Sequence, residues 1–318
     1  MAGKRFAAID VGANTILLLV AELKEDGSFR VITDRAEITR LGEGVDKTGA
    51  ISQPGEERSF TTLKAYLRAC KDLGVDEIVA VGTSALRDAQ NGLAFIQRLK
   101  RELGLDLRVL SGADEARYSY LAVDRGLRLK AENVLIVDVG GGSTEFIWTK
   151  AGALHRSASL NLGSVRLTER VFHSDPPLAE ERARMAEAID PEIRGLLNQW
   201  DRTAPFDVMV GIAGTFTTLA AVMKGLKNYS HSEVHGSLLA LAEIERQVRL
   251  YESKTIAGRK QIAGLEPKRA DVILAGALLI ERIMKLCGMD EVIVSDQGIR
   301  YGLLYEKIAQ SQIGRAHV

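Results

Sequence analysis

The chain has 318 residues, of which 46% are hydrophobic and 26% charged, which is ordinary for a globular protein with room for two cores and excludes a disordered chain. Lys+Arg and Asp+Glu both number 42, so no global field draws the protein to nucleic acid or to an anionic membrane, and any polyanion must be met by a local patch. Cys70 and Cys287 are too few for a disulfide framework, and five scattered histidines without a Cys or His pair at ligand spacing give a structural zinc site no support.

Arg5–Val11 reads as an apolar strand that ends in Asp10-Val11-Gly12 and is followed by Ala13-Asn14-Thr15. Ile16–Leu23 and Phe29–Ile38, joined by a turn at Glu25-Asp26-Gly27, complete an antiparallel three-strand start whose first hairpin turn is a candidate phosphate loop. Pro54 opens a helix with Phe60, Leu63, Leu67 and Cys70 at helical spacing, and Gly74 ends it. The short strand Ile78–Val81 then runs into the polar segment Gly82–Asp88, at the carboxyl end of a strand where ligands commonly sit in α/β sheets, with Arg87 in reach of a phosphate. A helix with Ile96, Leu99 and Leu103 inward and a strand Leu107–Leu110 follow. Ser111-Gly112-Ala113-Asp114 has capping-box spacing, which starts a helix at Gly112 with Glu115 in its first turn; this helix is the expected bridge between domains.

The second half repeats the plan. Asn133–Glu145, N-V-L-I-V-D-V-G-G-G-S-T-E, is a buried strand entering an acid, three glycines and two hydroxyls. Asp138 at such a cradle would repel a phosphate unless a divalent cation lay between them, so the stretch points to metal-phosphate chemistry. The shared D-V-G context of Asp10 and Asp138 is an internal repeat at domain scale, and it implies two similar domains that present phosphate loops across a cleft. Thr144–Trp148 and Leu154–Leu160 read as strands, Gly163–Trp200 as helices restarted at Pro191, and Val208–Ile212 as a buried strand. Gly211–Thr215 is a third glycine turn before a helix, a place for an anion. Helical stretches Leu238–Tyr251 and Arg269–Cys287, a strand Glu291–Ser295 and a helix from about Gly298 to Ala309 finish the pattern, which is absent from Ser311–Val318. The expected domains are residues 1–124 and 125–318, with the last helix packing back on the first.

Each candidate has a plain alternative at this stage. Glu115 complements a helix N-terminus; Asp10 and Asp138 form turns with their own loops; Arg87 sits in a surface ion pair. Basic clusters at Arg125, Arg128 and Lys130, at Lys224 and Lys227, and at Arg259, Lys260, Lys268 and Arg269 read mostly as solvated faces. No run approaches the roughly 18 apolar residues of a membrane helix, and Asp10 is reached without a signal-peptide core, so a cytoplasmic location is expected.

In order, A-I-D-V-G-A-N-T (8–15), T-S-A-L-R-D-A (83–89), S-G-A-D-E-A-R (111–117), I-V-D-V-G-G-G-S-T-E (136–145), L-N-L-G-S-V-R (160–166), A-G-T-F-T-T-L-A (213–220) and S-D-Q-G-I-R-Y-G (295–302) resemble the Ppx/GppA family of exopolyphosphatases and guanosine pentaphosphate phosphohydrolases, in its short two-domain form. The likeness spans nearly the whole chain, and the order of the motifs carries its specificity. It implies an α/β fold of duplicated ribonuclease H-like domains of the actin-like ATPase superfamily. It also implies hydrolysis of the terminal phosphate of inorganic polyphosphate or of guanosine pentaphosphate, with Mg²⁺ or Mn²⁺. Carried over by position, Glu115 would be catalytic; Gly12, Asn14, Thr15, Arg87, Gly140, Gly141, Gly142, Ser143, Thr144, Gly214 and Thr215 would bind phosphate; and Asp10, Asp138 and Glu145 would hold metal. A homodimer without DNA or membrane partners is the family expectation. Ala13 stands where the family usually has Ser, and Gln297 and Tyr301 where it has Arg and Glu. The competing functions are a kinase or ATPase of the same superfamily and a non-catalytic polyphosphate or alarmone sensor.

Overall fold

The computed structural model describes residues 3–24, 26, 28–200 and 204–316, with side chains through residue 310. Of the turn expected at Glu25-Asp26-Gly27, Glu25 and Gly27 lie outside the described residues. By its internal contacts the chain divides into two units, residues 1–125 with 299–318, and residues 126–298.

In the first unit, β1 (Arg5–Val11), β2 (Thr15–Leu23) and β3 (Phe29–Ile38) form the antiparallel start, and β4 (Glu77–Gly82) and β5 (Leu107–Val109) add parallel strands in the order β3-β2-β1-β4-β5. Strand alternation assigns the two faces. Ala7, Ile9, Ile16 and Leu18 pack in one core with Leu63 of α2 (Gln53–Asp72) and with Phe95 and Leu99 of α4 (Gly92–Leu103), beyond the short helix α1 (Val45–Thr48). Phe6, Ala8, Leu19 and Ala21 pack in another, with Tyr118 and Ala122 of α5 (Gly112–Leu127) and Leu303 and Leu304 of α13 (Ile299–Ala316). Asp10 shares the parity of Phe6 and Ala8, so it lies on the face that α5 covers. Gly82–Asp88 holds a short helix, α3 (Ser84–Asp88).

Helix α13 belongs to the first unit. Arg300 grips Asp34 of β3 with two bonds, Nε to Oδ1 at 3.0 Å and Nη2 to Oδ2 at 3.1 Å, and the Tyr301 hydroxyl donates to Asp34 Oδ2 at 3.2 Å. A glutamate at 301, where the family resemblance expects one, would set a like charge against Asp34. With Arg300 and Asp34 side chains only 8% and 5% exposed, Arg300→Ala takes both guanidinium bonds from a buried carboxylate that keeps the Tyr301 hydroxyl, and urea unfolding is expected to record a loss of roughly 3–5 kcal/mol. A change below about 1 kcal/mol would rank the pair with surface bridges.

The second unit carries β6 (Asn133–Val139), β7 (Thr144–Lys150), β8 (Ala153–Leu160), β9 (Val208–Ile212), β10 (Ser237–Ala240) and β11 (Glu291–Val294) in the order β10-β11-β9-β6-β7-β8. From β8 to β11 this repeats the first sheet, and β10 is an added antiparallel edge strand. The core lies against α6 (Ser164–Val171), α7 (Ala179–Gln199), α8 (Ala213–Met223), α10 (Leu241–Glu252) and above all α12 (Ile273–Cys287), which is buried along most of its length. The four-residue helices α9 (His231–Val234) and α11 (Ile256–Arg259) fill connections.

Four expectations need correction. Leu238–Ala240 belongs to strand β10, because pairing with Glu291–Ile293 of β11 overrides a helical reading of so short an apolar run. Arg269 ends a single 3₁₀ turn, Pro267–Arg269, and the helix begins only at Ile273. Helix α7 runs unbroken through Pro191, flanked by fully buried Ile189 and Ile193, whose packing outweighs the lost backbone bond. Helix α13 continues to Ala316, since extending a helix already docked needs no new nucleus; residues 317 and 318 lie outside the described residues. Both cysteines are buried and neither forms a disulfide, as read from composition. No helix among the described residues is long and apolar enough to cross a membrane.

Candidate active site

The two glycine loops are the same turn built twice. Val11 pairs with Ile16 and Val139 with Thr144, leaving four-residue turns, Gly12–Thr15 and Gly140–Ser143. In each the first amide closes on the fourth carbonyl, Gly12 N to Thr15 O and Gly140 N to Ser143 O, both at 3.0 Å. A Cβ on either opening glycine would stand 3.0 Å from that same carbonyl oxygen, tighter than a side chain normally allows.

A segment after the third strand supports each loop from behind. In the first unit Thr39 N and Arg40 N donate to Asn14 O, both at 3.0 Å, and Gly42 N to Ala13 O at 2.7 Å. In the second, Ser164 N donates to Gly140 O at 3.0 Å, Val165 N and Arg166 N to Gly141 O at 2.9 and 3.1 Å, and Arg166 Nε to Gly142 O at 2.7 Å. The start of α6 thus takes up the carbonyls of Gly140–Gly142. Beyond regular strand pairing, the amides of Gly141, Gly142 and Ser143 donate to no main-chain carbonyl among the described residues. A turn with its oxygens drawn back and its amides left over suits an anion. The support rests on a repeated Leu-Gly pair, Leu41-Gly42 and Leu162-Gly163, which sequence reasoning missed as a repeat although it follows the third strand in both halves.

The acids differ between the copies. Asp138 pairs across the strands with Glu145, so their side chains emerge on one face, whereas Asp10 pairs with Leu17. Ser159 Oγ donates to Glu145 Oε1 at 2.8 Å and orients it. Among the described residues no three His, Cys, Asp or Glu side chains converge on a point where they could hold an ion. Two neighbouring carboxylates nevertheless fit Mg²⁺, which keeps several waters and shares substrate phosphate oxygens, and they do not fit a four-donor zinc site.

Glu115 stands in the first turn of α5, 3% exposed. The capping box forms with Asp in place of Glu: Asp114 N donates to Ser111 Oγ at 3.1 Å and Ser111 Oγ to Asp114 Oδ2 at 2.8 Å, and this hydroxyl holds the Asp114 carboxyl below its usual range. Arg87 on α3 meets Glu115, Nη1 to Oε1 at 2.5 Å, and the same nitrogen donates to Leu110 O at 2.9 Å. The strand ends here are laced together, Thr83 N to Val11 O at 3.2 Å and Leu110 N to Gly82 O at 2.8 Å, so the loop, α3 and the start of α5 share one edge of the first sheet.

Other predicted positions serve packing. Thr144 Oγ1 donates to Leu162 O at 2.5 Å. The Thr215 side chain lies against Gly276 of α12, where an added Cβ would come 2.6 Å from Thr215 Cγ2. Gly214 is covered by Arg269, whose Nη1 a Cβ would meet at 2.3 Å, and Ala213 before it takes a left-handed φ of 71°. That turn is locally strained, and Arg269 fills the face that the sequence offered to an anion.

Over residues 19–311 the chain matches the family model described as the Ppx/GppA phosphatase family. It is 33% identical over 319 residues to exopolyphosphatase 2 of Mycobacterium tuberculosis, covering 95% of this chain and 98% of that one. It is 32% identical over 312 residues to the bifunctional 3-dehydroquinate synthase/phosphatase of Fusobacterium nucleatum, of which it spans 46% while 95% of this chain is covered. Among solved structures, the Aquifex aeolicus member of the Ppx/GppA family matches with a TM-score of 0.81 at 35% identity, covering 97% of this chain and 98% of that one. An exopolyphosphatase from Cytophaga hutchinsonii matches with a TM-score of 0.87 at 29% identity, covering 96% and 98%. Both solved relatives share the two-domain actin-like α/β architecture.

Proposed function

Since the chain belongs to the Ppx/GppA phosphatase family, we propose that it is an exopolyphosphatase, releasing orthophosphate from the end of inorganic polyphosphate and also removing the 5′ terminal phosphate of guanosine pentaphosphate. The observation that carries this reading is the duplicated anion turn, together with a buried carboxylate, Glu115, in the first turn of α5. Exopolyphosphatases of 33% and 29% identity are among the relatives.

Hydrolysis of a phosphoanhydride asks for positioning and charge neutralisation more than for covalent help. Glu115 accepts a proton from a water whose oxygen forms a bond to the terminal phosphorus, while the bond from that phosphorus to the bridging oxygen breaks and its electron pair stays on the shortened chain. In the second unit the amides of Gly141, Gly142 and Ser143, and in the first the side chains of Asn14 and Thr15, are the groups to bind phosphoryl oxygens. In support, Asn14 Nδ2 is buried with no acceptor among the described residues, the state of a donor awaiting a ligand oxygen. Within the second unit Asp138 and Glu145 are the acids that would hold Mg²⁺, which would neutralise phosphate charge when bound, and Asp10 is the acid before the matching loop of the first unit.

The deciding measurement is phosphate release, read with malachite green, from short polyphosphate, long polyphosphate, guanosine pentaphosphate and ATP, each with Mg²⁺. Release from polyphosphate upholds the reading. Release or transfer from ATP alone supports the kinase or ATPase alternative, and binding without release the sensor. EDTA should lower polyphosphate turnover by at least about a hundredfold, with recovery on adding Mg²⁺; full activity in EDTA would remove the metal from the scheme.

A further inference from the structure

We propose that Arg87 is a positioning residue for Glu115 and not a contact to substrate phosphate: it fixes the carboxylate that takes the proton from the attacking water. This rests on the reading of Glu115 as the base. Arg87 Nη1 lies 2.5 Å from Glu115 Oε1 and 2.9 Å from Leu110 O. Leu110 immediately precedes Ser111, whose hydroxyl closes the cap of α5. One nitrogen therefore ties α3 both to the end of β5 and to the first turn of α5, and the glutamate is held from outside its own helix.

Burial makes the arrangement necessary. Glu115 is 3% exposed, and a carboxylate so withdrawn from water tends to take up a proton unless a cation accompanies it. A protonated Glu115 cannot accept another proton. Arg87 keeps it ionised and aims it, two requirements that the helix N-terminus meets only in part. Among the described residues the charges near the pair include Asp88, whose Oδ1 is 3.8 Å from Arg87 Nε, and Asp114, which is turned to Ser111 and feels Arg108 and Arg117.

A phosphate contact and a positioning contact part company in kinetics. Losing a substrate contact raises KM; losing the partner of a base lowers kcat and moves its titration. For Arg87→Ala the expected result is a kcat lower by about 10–100-fold, since a misplaced catalytic group costs on that scale, with KM within about threefold of wild type. The acid limb of the kcat profile should move to higher pH, because a carboxylate that loses a neighbouring guanidinium protonates more readily. Both bonds come from Nη1, a geometry an ammonium copies in part, so Arg87→Lys should recover part of kcat and return the acid limb. Arg87→Gln, uncharged but still a donor, should leave the limb displaced and serves where the alanine variant does not fold.

A KM raised tenfold or more with an unmoved acid limb would overturn the proposal in favour of a phosphate contact. A lowered melting temperature with kcat and acid limb unchanged would overturn it in favour of a merely structural bridge. Glu115→Gln separates the two levels: if that variant stays active, the base assignment itself fails; if it is inactive while Arg87→Ala alters KM alone, only this proposal does.

Discussion

Glu115→Gln is expected to lower kcat for polyphosphate hydrolysis by at least about a hundredfold, the smaller end of general-base effects. The substitution keeps the shape of the side chain and can still accept from Arg87 through its amide oxygen, so the bond to Nη1 (2.5 Å in the native pair) is not lost outright. What it removes is the ability to take a proton. A glutamate serving only to complement the start of α5 would have a modest effect, roughly 0.3–1 kcal/mol of stability for a charge near a helix end, and turnover would be untouched. Melting temperature and kcat must therefore be measured on the same preparation. Turnover within about threefold of wild type would remove Glu115 from the chemistry and leave the loops as a binding device alone. KM should change little, because the carboxylate is not assigned to the substrate.

The parts of the fold legible in the sequence were those decided locally. Each glycine loop is a strand, an acid and a glycine turn within a dozen residues, and the cap at Ser111 is a four-residue signature; both form where the spacing put them. Strand β10 was misread because its partner, Glu291–Val294, lies some fifty residues on, and three apolar residues ahead of a true helix carry no period of their own. The Arg87–Glu115 pair spans 28 positions, and no local rule links α3 to α5. Arg269 over Gly214 is similar: the sequence showed a glycine at a helix start, the feature an anion site and a close-packed guanidinium have in common. Its small size was visible, but what filled the space was not.

The Leu-Gly pair behind the second loop yields the other large effect expected. Gly163 has φ −145° and ψ 159°, extended backbone open to any residue, so its substitution fails by contact alone. A Cβ there would lie 2.3 Å from Gly141 O, 2.5 Å from Gly141 C and 2.6 Å from Gly142 C, all main-chain atoms of the second glycine loop. No side chain can rotate to relieve this, so the loop or the start of α6 must shift. Either movement disturbs the bonds from Ser164, Val165 and Arg166 that draw the loop's carbonyls back. Gly163→Ala should therefore lower kcat/KM by about a hundredfold, the scale of a 1 Å misplacement, and stability by about 1–3 kcal/mol, the range for overpacking. Gly42→Ala tests the same position in the first unit, where the Cβ would stand 2.8 Å from Ala13 Cβ, and should cost less. Gly195→Ala, in α7 with nothing within 4 Å of the added atom, is the control for glycine replacement itself; there the helix should gain roughly 0.5–1 kcal/mol with activity unchanged. If Gly163→Ala kept kcat/KM within about threefold of wild type, the carbonyl-withdrawn shape of the loop would not be what prepares it for phosphate.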